Sequence, residues 1–222
     1  MKTVILAGGF GTRLARISGD KPKPLMEVAG KPILERQINF LLSHGMDDIR
    51  LSLHHKADQI IAFCESKWPK QFEYIVEPTA LGTGGGIRFA SKDLYDPFLV
   101  VNGDILSDIN VTEFVSAVPS AIVGAYQKDA RPYGLLNIRN GKIAAFREKP
   151  AEECGGYINA GFYFLHPNVF LHISVESFMI EKEIFPQLAE SGKLNVFTHN
   201  GYWIDCGTEE RLRQAHEDYK EK

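Results

Sequence analysis

The chain has 222 residues, 44% of them hydrophobic, and a formal charge of −3. That length and apolar content can bury a substantial core, and the slightly acidic balance argues against a nucleic-acid binder relying on a broad basic face while leaving local basic pockets open to small anions. The three cysteines, Cys64, Cys154 and Cys206, have no CxxC spacing, and no apolar run approaches membrane-spanning length, so a cytoplasmic protein with reduced thiols and no membrane insertion is expected.

Met1 to Ala7, with Val4, Ile5 and Leu6 consecutive, reads as a buried strand. Gly8, Gly9 and Gly11 follow at once, and such a loop can turn tightly and present its N–H groups to phosphate. Thr12 and Arg13 come next, then Lys21-Pro22-Lys23-Pro24, in which the prolines predict an extended frame around Lys23. "PILERQINFLLSHG" places Ile33, Leu34, Ile38, Leu41 and Leu42 on one helical face, with Gly45 as the stop. "DIRLSL" and "FEYIVE" read as strands around the helical "ADQIIAFCESK"; the helical "GGIRFASKDL" and the strand "PFLVVNGD" complete a β-α-β-α-β-α-β order. Such alternation predicts a mostly parallel sheet covered on both faces, with ligands at the carboxyl ends of its strands.

Beyond about residue 120 the pattern becomes strand-rich: "SAIVGAYQ", "GLLNI", "KIAAF" and "YINAGFYFL", with Asn140-Gly141 as a hairpin turn. Helical character returns in "IEKEIFPQLAESG" and "EERLRQAHEDYKEK". No repeat or linker interrupts the chain, so one domain over 1–222 is expected, with the cleft between residues 1–119 and residues 120–222.

Two familiar phosphate motifs do not fit the opening loop. A dinucleotide fingerprint through Gly9 and Gly11 needs a small residue where Leu14 stands, and the Gly-Lys pairs are followed by Pro32, Ile143 and Leu194 rather than by the Ser or Thr of a Walker A loop. What remains is a glycine loop with one guanidinium, Arg13, and a second cation, Lys23. That set suits a triphosphate. His54 and His55 are adjacent, so on a strand they face opposite ways, and no cysteine or carboxylate cluster joins them; they read as structural or surface residues.

"LAGGFGTRL" followed by "KPKPLMEVAGKP" resembles the signature of the sugar-1-phosphate nucleotidyltransferases, and "LGTGGGI", "VVNGD", "EKP", "INAGFYFL" and "WIDCGT" follow in family order through nearly the whole chain. The resemblance implies a Rossmann-like three-layer α/β fold with a mostly parallel sheet and a strand-rich sugar-binding half. It implies a nucleoside triphosphate held by Leu6, Ala7, Gly8, Gly9, Gly11, Thr12, Arg13 and Lys23, with Leu81, Gly82 and Thr83 against the base. Gly82, Gly84, Gly85 and Gly86 would let backbone approach base and ribose. Arg13, Lys23 and Asp104 would be catalytic, and Asp104 and Asp205 would hold Mg²⁺ as hard oxygen ligands. Gly134, Glu148, Lys149 and Asn159 would bind the sugar phosphate; Glu181 is either a sugar contact or helix surface.

The reaction so implied is in-line attack of a sugar-phosphate oxygen on the α-phosphorus, with pyrophosphate leaving and no covalent enzyme intermediate. Within the family, "LGTGGGI", "SFMIEKEIFP" and "GYWIDCGT" look most like the D-glycero-α-D-manno-heptose 1-phosphate guanylyltransferases, which use GTP. Uridylyltransferases for N-acetylmuramic acid 1-phosphate and mannose 1-phosphate guanylyltransferases share most of these motifs. A non-catalytic sugar-nucleotide sensor would be expected to lose cations or carboxylates, and Arg13, Lys23, Asp104, Lys149 and Asp205 are all present. A homodimer is implied by the resemblance alone.

Overall fold

A computed structural model describes residues 1–147 and 149–220. The first half runs β1 (Thr3–Leu6), α1 (Ala15–Ser18), β2 (Glu27–Val28), β3 (Lys31–Pro32), α2 (Ile33–Ser43), β4 (Ile49–Leu53), α3 (Ala57–Lys67), β5 (Glu73–Val76), α4 (Gly82–Ala90), β6 (Phe98–Asn102), β7 (Ile105–Ser107) and α5 (Val111–Phe114). The second runs β8 (Ala121–Gln127), β9 (Leu135–Arg139), β10 (Lys142–Arg147), β11 (Gly156–Leu165), α6 (Ile180–Glu183), α7 (Phe185–Glu190), β12 (Asn195–His199), β13 (Trp203–Asp205) and α8 (Glu209–Lys220).

Among the described residues nine strands form one sheet in the order β5-β4-β1-β6-β11-β8-β12-β10-β9. The sheet is mixed rather than mostly parallel. From β5 to β6 every neighbour is parallel, as the helical crossovers require. Beyond β6 the pairs β6–β11, β8–β11, β10–β12 and β9–β10 are antiparallel, and only β8–β12 returns to parallel. Of these pairs only β9–β10 joins strands consecutive in the chain, and its two-residue connection is too short to hold a crossover helix. Between β9 and β10, Asn140 and Gly141 both adopt positive φ, 51° and 71°, the two-residue turn that matches strand twist.

Alternation along β1 and β6 sorts the core into two layers. Ile5 and Val101 face a cluster with Leu34, Ile38 and Leu41 of α2, Ile60 and Cys64 of α3 and Phe114 of α5. Val4 and Val100 face Ile87 and Ala90 of α4, Ile180 of α6 and Phe185 and Ala189 of α7. Helices therefore cover both faces, giving three layers. A smaller cluster, with Leu106, Ile204, Cys206, Leu212 and Ala215, fixes α8 against the β7–β13 ribbon. Among the described residues no helix is long and apolar enough to cross a membrane.

Candidate active site

A cavity of about 400 Å³ opens at the carboxyl ends of β1, β4 and β6, where an open α/β sheet collects ligands. Leu6, Ala7, Gly8, Gly9, Gly11, Thr12 and Arg13 all border it. Two glycines are dictated by close approach: a Cβ at Gly8 would lie 2.8 Å from the backbone nitrogen of His54, and Gly11, at φ 61°, would press on the Lys23 side chain at 3.1 Å. At Gly9 a Cβ would meet no atom within 4 Å, so there the bare backbone serves the open cavity. Leu14, 1% exposed, pins the following 3₁₀ turn, Thr12–Leu14, and leaves Thr12 and Arg13 exposed at the rim.

Lys23 also borders the cavity, in a different local frame from the one its prolines predict. Pro22 is extended, but Lys23 itself opens a 3₁₀ turn over Lys23–Leu25, closed by the Met26 N–H on the Lys23 carbonyl at 3.0 Å. Pro24 fits that first turn because its missing N–H would have no partner there. The Lys23 ammonium donates to Oδ2 of Asp104.

Asp104 follows β6 at the cavity wall. Gly103 before it cannot carry a side chain, since a Cβ would lie 2.5 Å from the Leu6 carbonyl oxygen, which accepts the Gly103 N–H at 2.8 Å. The β7–β13 ladder pairs Ile105 with Asp205, and the Cys206 N–H donates to the Asp104 carbonyl at 2.8 Å. Asp104 and Asp205, a hundred residues apart, are thereby neighbours. Asp205 lies just behind the lining: Oδ1 accepts the Gly207 N–H at 2.8 Å, and Oδ2 pairs with Arg211 Nη1 at 3.0 Å. Burial pushes the neighbouring Tyr133 hydroxyl up to about 12, so it stays protonated as it accepts from Arg211. Among the described residues no group of three or more His, Cys, Asp or Glu side chains is placed to hold a metal. The two carboxylates, on neighbouring strands, are of the hard oxygen type a divalent ion takes when phosphate and water supply its other ligands.

The "LGTGGG" segment has a different task from the one expected of it. Gly82 and Thr83 line the cavity, but Gly84, Gly85 and Gly86 are buried and make room for protein. A Cβ at Gly84 would lie 2.1 Å from the Phe178 ring, one at Gly85 2.4 Å from the Glu176 carbonyl oxygen, and one at Gly86 2.6 Å from Glu77 Oε1. The N–H groups of Gly84 and Gly85 donate to the Phe178 carbonyl, so the start of α4 is satisfied internally rather than by a ligand. Leu81, expected at the base, is buried and absent from the lining; its N–H goes to Glu77 Oε2 at 3.1 Å and its carbonyl accepts from Phe178.

The expected sugar-phosphate residues are not brought to this cavity. Gly134 and Lys149 are exposed, Asn159 is half-buried, and none of the three borders it. The Asn159 amide is occupied internally: its nitrogen donates to the Tyr163 hydroxyl at 3.2 Å and its oxygen accepts the Gly161 N–H at 3.0 Å. Glu148 lies outside the described residues.

Among the lining residues given no role from the sequence are three polar ones, Glu77, His54 and Asn102. Glu77, 9% exposed, accepts from Ser52 Oγ at 3.0 Å and from the Leu81 N–H, and so presents a fixed carboxylate to the cavity. His54 is part of the wall rather than incidental surface; its Nδ1 donates to the Glu77 carbonyl at 3.1 Å. Asn102 closes β6 beside Gly103. All three stand at or just beyond the carboxyl ends of parallel strands, so that rule, applied to every strand, would have found them.

Fold and site together define a three-layer α/β protein with a glycine loop, two cations and strand-end carboxylates gathered on one cavity. The chain belongs to the Nucleotidyl transferase family, whose profile matches residues 2–222. It is 34% identical over 226 residues to the probable mannose-1-phosphate guanylyltransferase 2 of Arabidopsis thaliana, covering 93% of this chain and 62% of that protein. It is 36% identical over 220 residues to the mannose-1-phosphate guanyltransferase of Yarrowia lipolytica, covering 93% and 61%. The chain thus spans about three fifths of the length of the curated relatives it matches. Among solved structures, HddC from Yersinia pseudotuberculosis complexed with GMP-PN superposes with a TM-score of 0.87 at 34% identity, covering 98% of this chain and 99% of that one.

Proposed function

We propose that the protein transfers a guanylyl group from GTP to a sugar 1-phosphate, with D-glycero-α-D-manno-heptose 1-phosphate as the acceptor, releasing pyrophosphate and a GDP-sugar for bacterial surface glycans. The observation that carries the reaction class is the convergence of the Gly8 to Arg13 loop, Lys23 and Asp104 on one cavity. Three features support guanine. HddC, similar over its whole length, is complexed with GMP-PN. The curated relatives are named as guanylyltransferases. Glu77 supplies a fixed pair of carboxylate acceptors, and guanine offers two adjacent donors, N1–H and the 2-amino group, whereas uracil and thymine offer a single N–H flanked by carbonyls that a carboxylate would repel. Mannose 1-phosphate is the second reading for the acceptor, favoured by the names of those relatives; the heptose rests on the motif resemblance, as do a homodimer and a cytoplasmic location.

In this mechanism the loop N–H groups and Arg13 hold the triphosphate, and the Arg13 guanidinium follows the charge that develops on the departing pyrophosphate. The attacking oxygen is already anionic, so no general base is needed; the residues position two polyanions and neutralise them. The motif resemblance assigns the sugar phosphate to Lys149, with Glu148, Asn159 and Gly134; Gly134, Lys149 and Asn159 stand outside the triphosphate cavity, so on this reading the acceptor approaches the α-phosphorus from beyond the cavity lining. Asp104 and Asp205 would hold Mg²⁺, which when bound screens the phosphate oxygens and polarises the α-phosphorus. A matrix of the common nucleoside triphosphates against a panel of sugar 1-phosphates, scored by pyrophosphate release, tests the proposal. GTP with the heptose 1-phosphate should give the highest kcat/KM; preference for UTP or dTTP rejects the guanylyl assignment, and preference for mannose 1-phosphate rejects the heptose.

A further inference from the structure

Each carboxylate assigned to the divalent ion already carries a cation supplied by the chain. Lys23 is paired with Asp104, and Arg211 Nη1 reaches Asp205 Oδ2 at 3.0 Å. Arg211 belongs to α8 and to none of the motifs above. The same Nη1 is also anchored by Tyr133, whose hydroxyl accepts from it at 2.8 Å and whose ring centroid lies 5.3 Å from Cζ. Its Nε is buried and, among the described residues, has no hydrogen-bond partner. The space above Gly207 gathers the group: a Cβ there would lie 2.5 Å from Asp205 Oδ1 and 3.4 Å from both Arg211 Nη2 and Lys23 Nζ. Gly207 itself lines the cavity. Two cations therefore face one small gap beside the place where phosphate is expected.

We propose that Arg211 is a displaceable counter-ion: when Asp104 and Asp205 take a divalent cation, the Arg211 guanidinium leaves Asp205 and, with Lys23, turns to a phosphoryl group in the cavity. The proposal rests on the reading of Asp104 and Asp205 as metal ligands. Removing one partner from a half-buried ion pair strands the other charge, which is costly. An exchange avoids that cost. The two carboxylates pass from two monovalent side-chain cations to one divalent ion, and the two freed cations balance a phosphate dianion, so charge stays paired throughout. Divalent ion and phosphate should then bind cooperatively, through a residue that need not touch the ion.

The test uses Mn²⁺ and inorganic phosphate on the nucleotide-free protein, with bound Mn²⁺ counted by electron paramagnetic resonance and phosphate affinity by calorimetry. Arg211→Gln should bind Mn²⁺ about twofold to fivefold tighter than the unsubstituted protein, because no counter-ion competes for Asp205. The same variant should lose about tenfold in phosphate affinity at saturating Mn²⁺ and little without it. Tyr133→Phe removes the anchor with almost no change of volume, so its Mn²⁺ affinity should lie between the two, which keeps the idea testable if Arg211→Gln folds poorly. Unchanged or weaker Mn²⁺ binding in Arg211→Gln and Tyr133→Phe, with binding abolished in Asp205→Asn, overturns the exchange and leaves the metal ligands standing. Normal Mn²⁺ binding in Asp205→Asn overturns both readings. Phosphate affinity in Arg211→Gln that matches the unsubstituted protein at saturating Mn²⁺ also overturns the exchange.

Discussion

Thr83 Oγ1 donates to Glu181 Oε2 at 2.6 Å, tying the first turn of α4 to α6, 98 residues further along the chain. The same hydroxyl accepts the Ile180 N–H at 3.1 Å, so it works as donor and acceptor at once. Glu181, for which the sequence left a sugar contact and plain helix surface open, forms in the structure a strut to α4 beside the cavity wall. Thr83→Val keeps the shape but leaves both partners unpaired, and a loss of about 1–2 kcal/mol is expected. Urea midpoints measure it, and a loss below about 0.3 kcal/mol removes the strut from the account.

The glycines of the two loops should fail in different ways. Gly84→Ala drives a Cβ into the Phe178 ring and toward the Ile180 N–H, at 2.1 and 2.9 Å, so it should destabilise the fold by about 1–3 kcal/mol. Gly9→Ala meets no atom within 4 Å, so it should melt like the unsubstituted protein and yet bind triphosphate more weakly. Thermal melts paired with nucleotide titrations separate the two. A stable Gly84→Ala, or a Gly9→Ala with normal triphosphate affinity, contradicts the division of labour.

Arg13→Ala should reduce kcat/KM by the equivalent of about 3–4 kcal/mol, the scale of losing one preorganised donor from developing charge. Lys149→Ala should chiefly raise KM for the sugar phosphate. Steady-state kinetics with each substrate varied in turn reads both. An Arg13 variant altered only in sugar-phosphate KM would remove that residue from the leaving-group site.

Far from the cavity, Arg50 donates to both oxygens of Asp93, at 2.6 and 2.9 Å, and that hydrogen bonding lowers the Asp93 carboxyl from its ordinary 3.8 to about 2. A carboxyl lowered by folding contributes stability that is fully present above its unfolded value and lost as pH falls through its folded one. The contribution should therefore be complete above about pH 4 and vanish near pH 2. In Asp93→Asn the melting temperature should be lower at pH 5, and the gap to the unsubstituted protein should close by pH 2. A gap independent of pH would mean that packing rather than charge links the two residues.

Whatever is repeated at short range was readable in the sequence. The β-α-β order of the first half, the Asn140-Gly141 hairpin and the glycine loop that borders the cavity follow from apolar periodicity, turn chemistry and backbone sterics, and these act over a few residues. The cation at Lys23 was legible beside that loop, and the family motifs added Asp104 and Asp205. What local pattern does not contain is which distant groups share a space. That Lys23 meets Asp104, that Arg211 holds Asp205, and that the buried glycines of α4 admit Phe178 and Glu176 rather than a nucleotide base were decided by strand order and helix docking. The mixed sheet is of the same kind: each strand could be seen alone, but most antiparallel neighbours, such as β6 and β11, are distant in the chain, and local pattern does not name them. Partners brought together across a hundred residues are selected by the packing of the whole core, and only the folded chain specifies that packing.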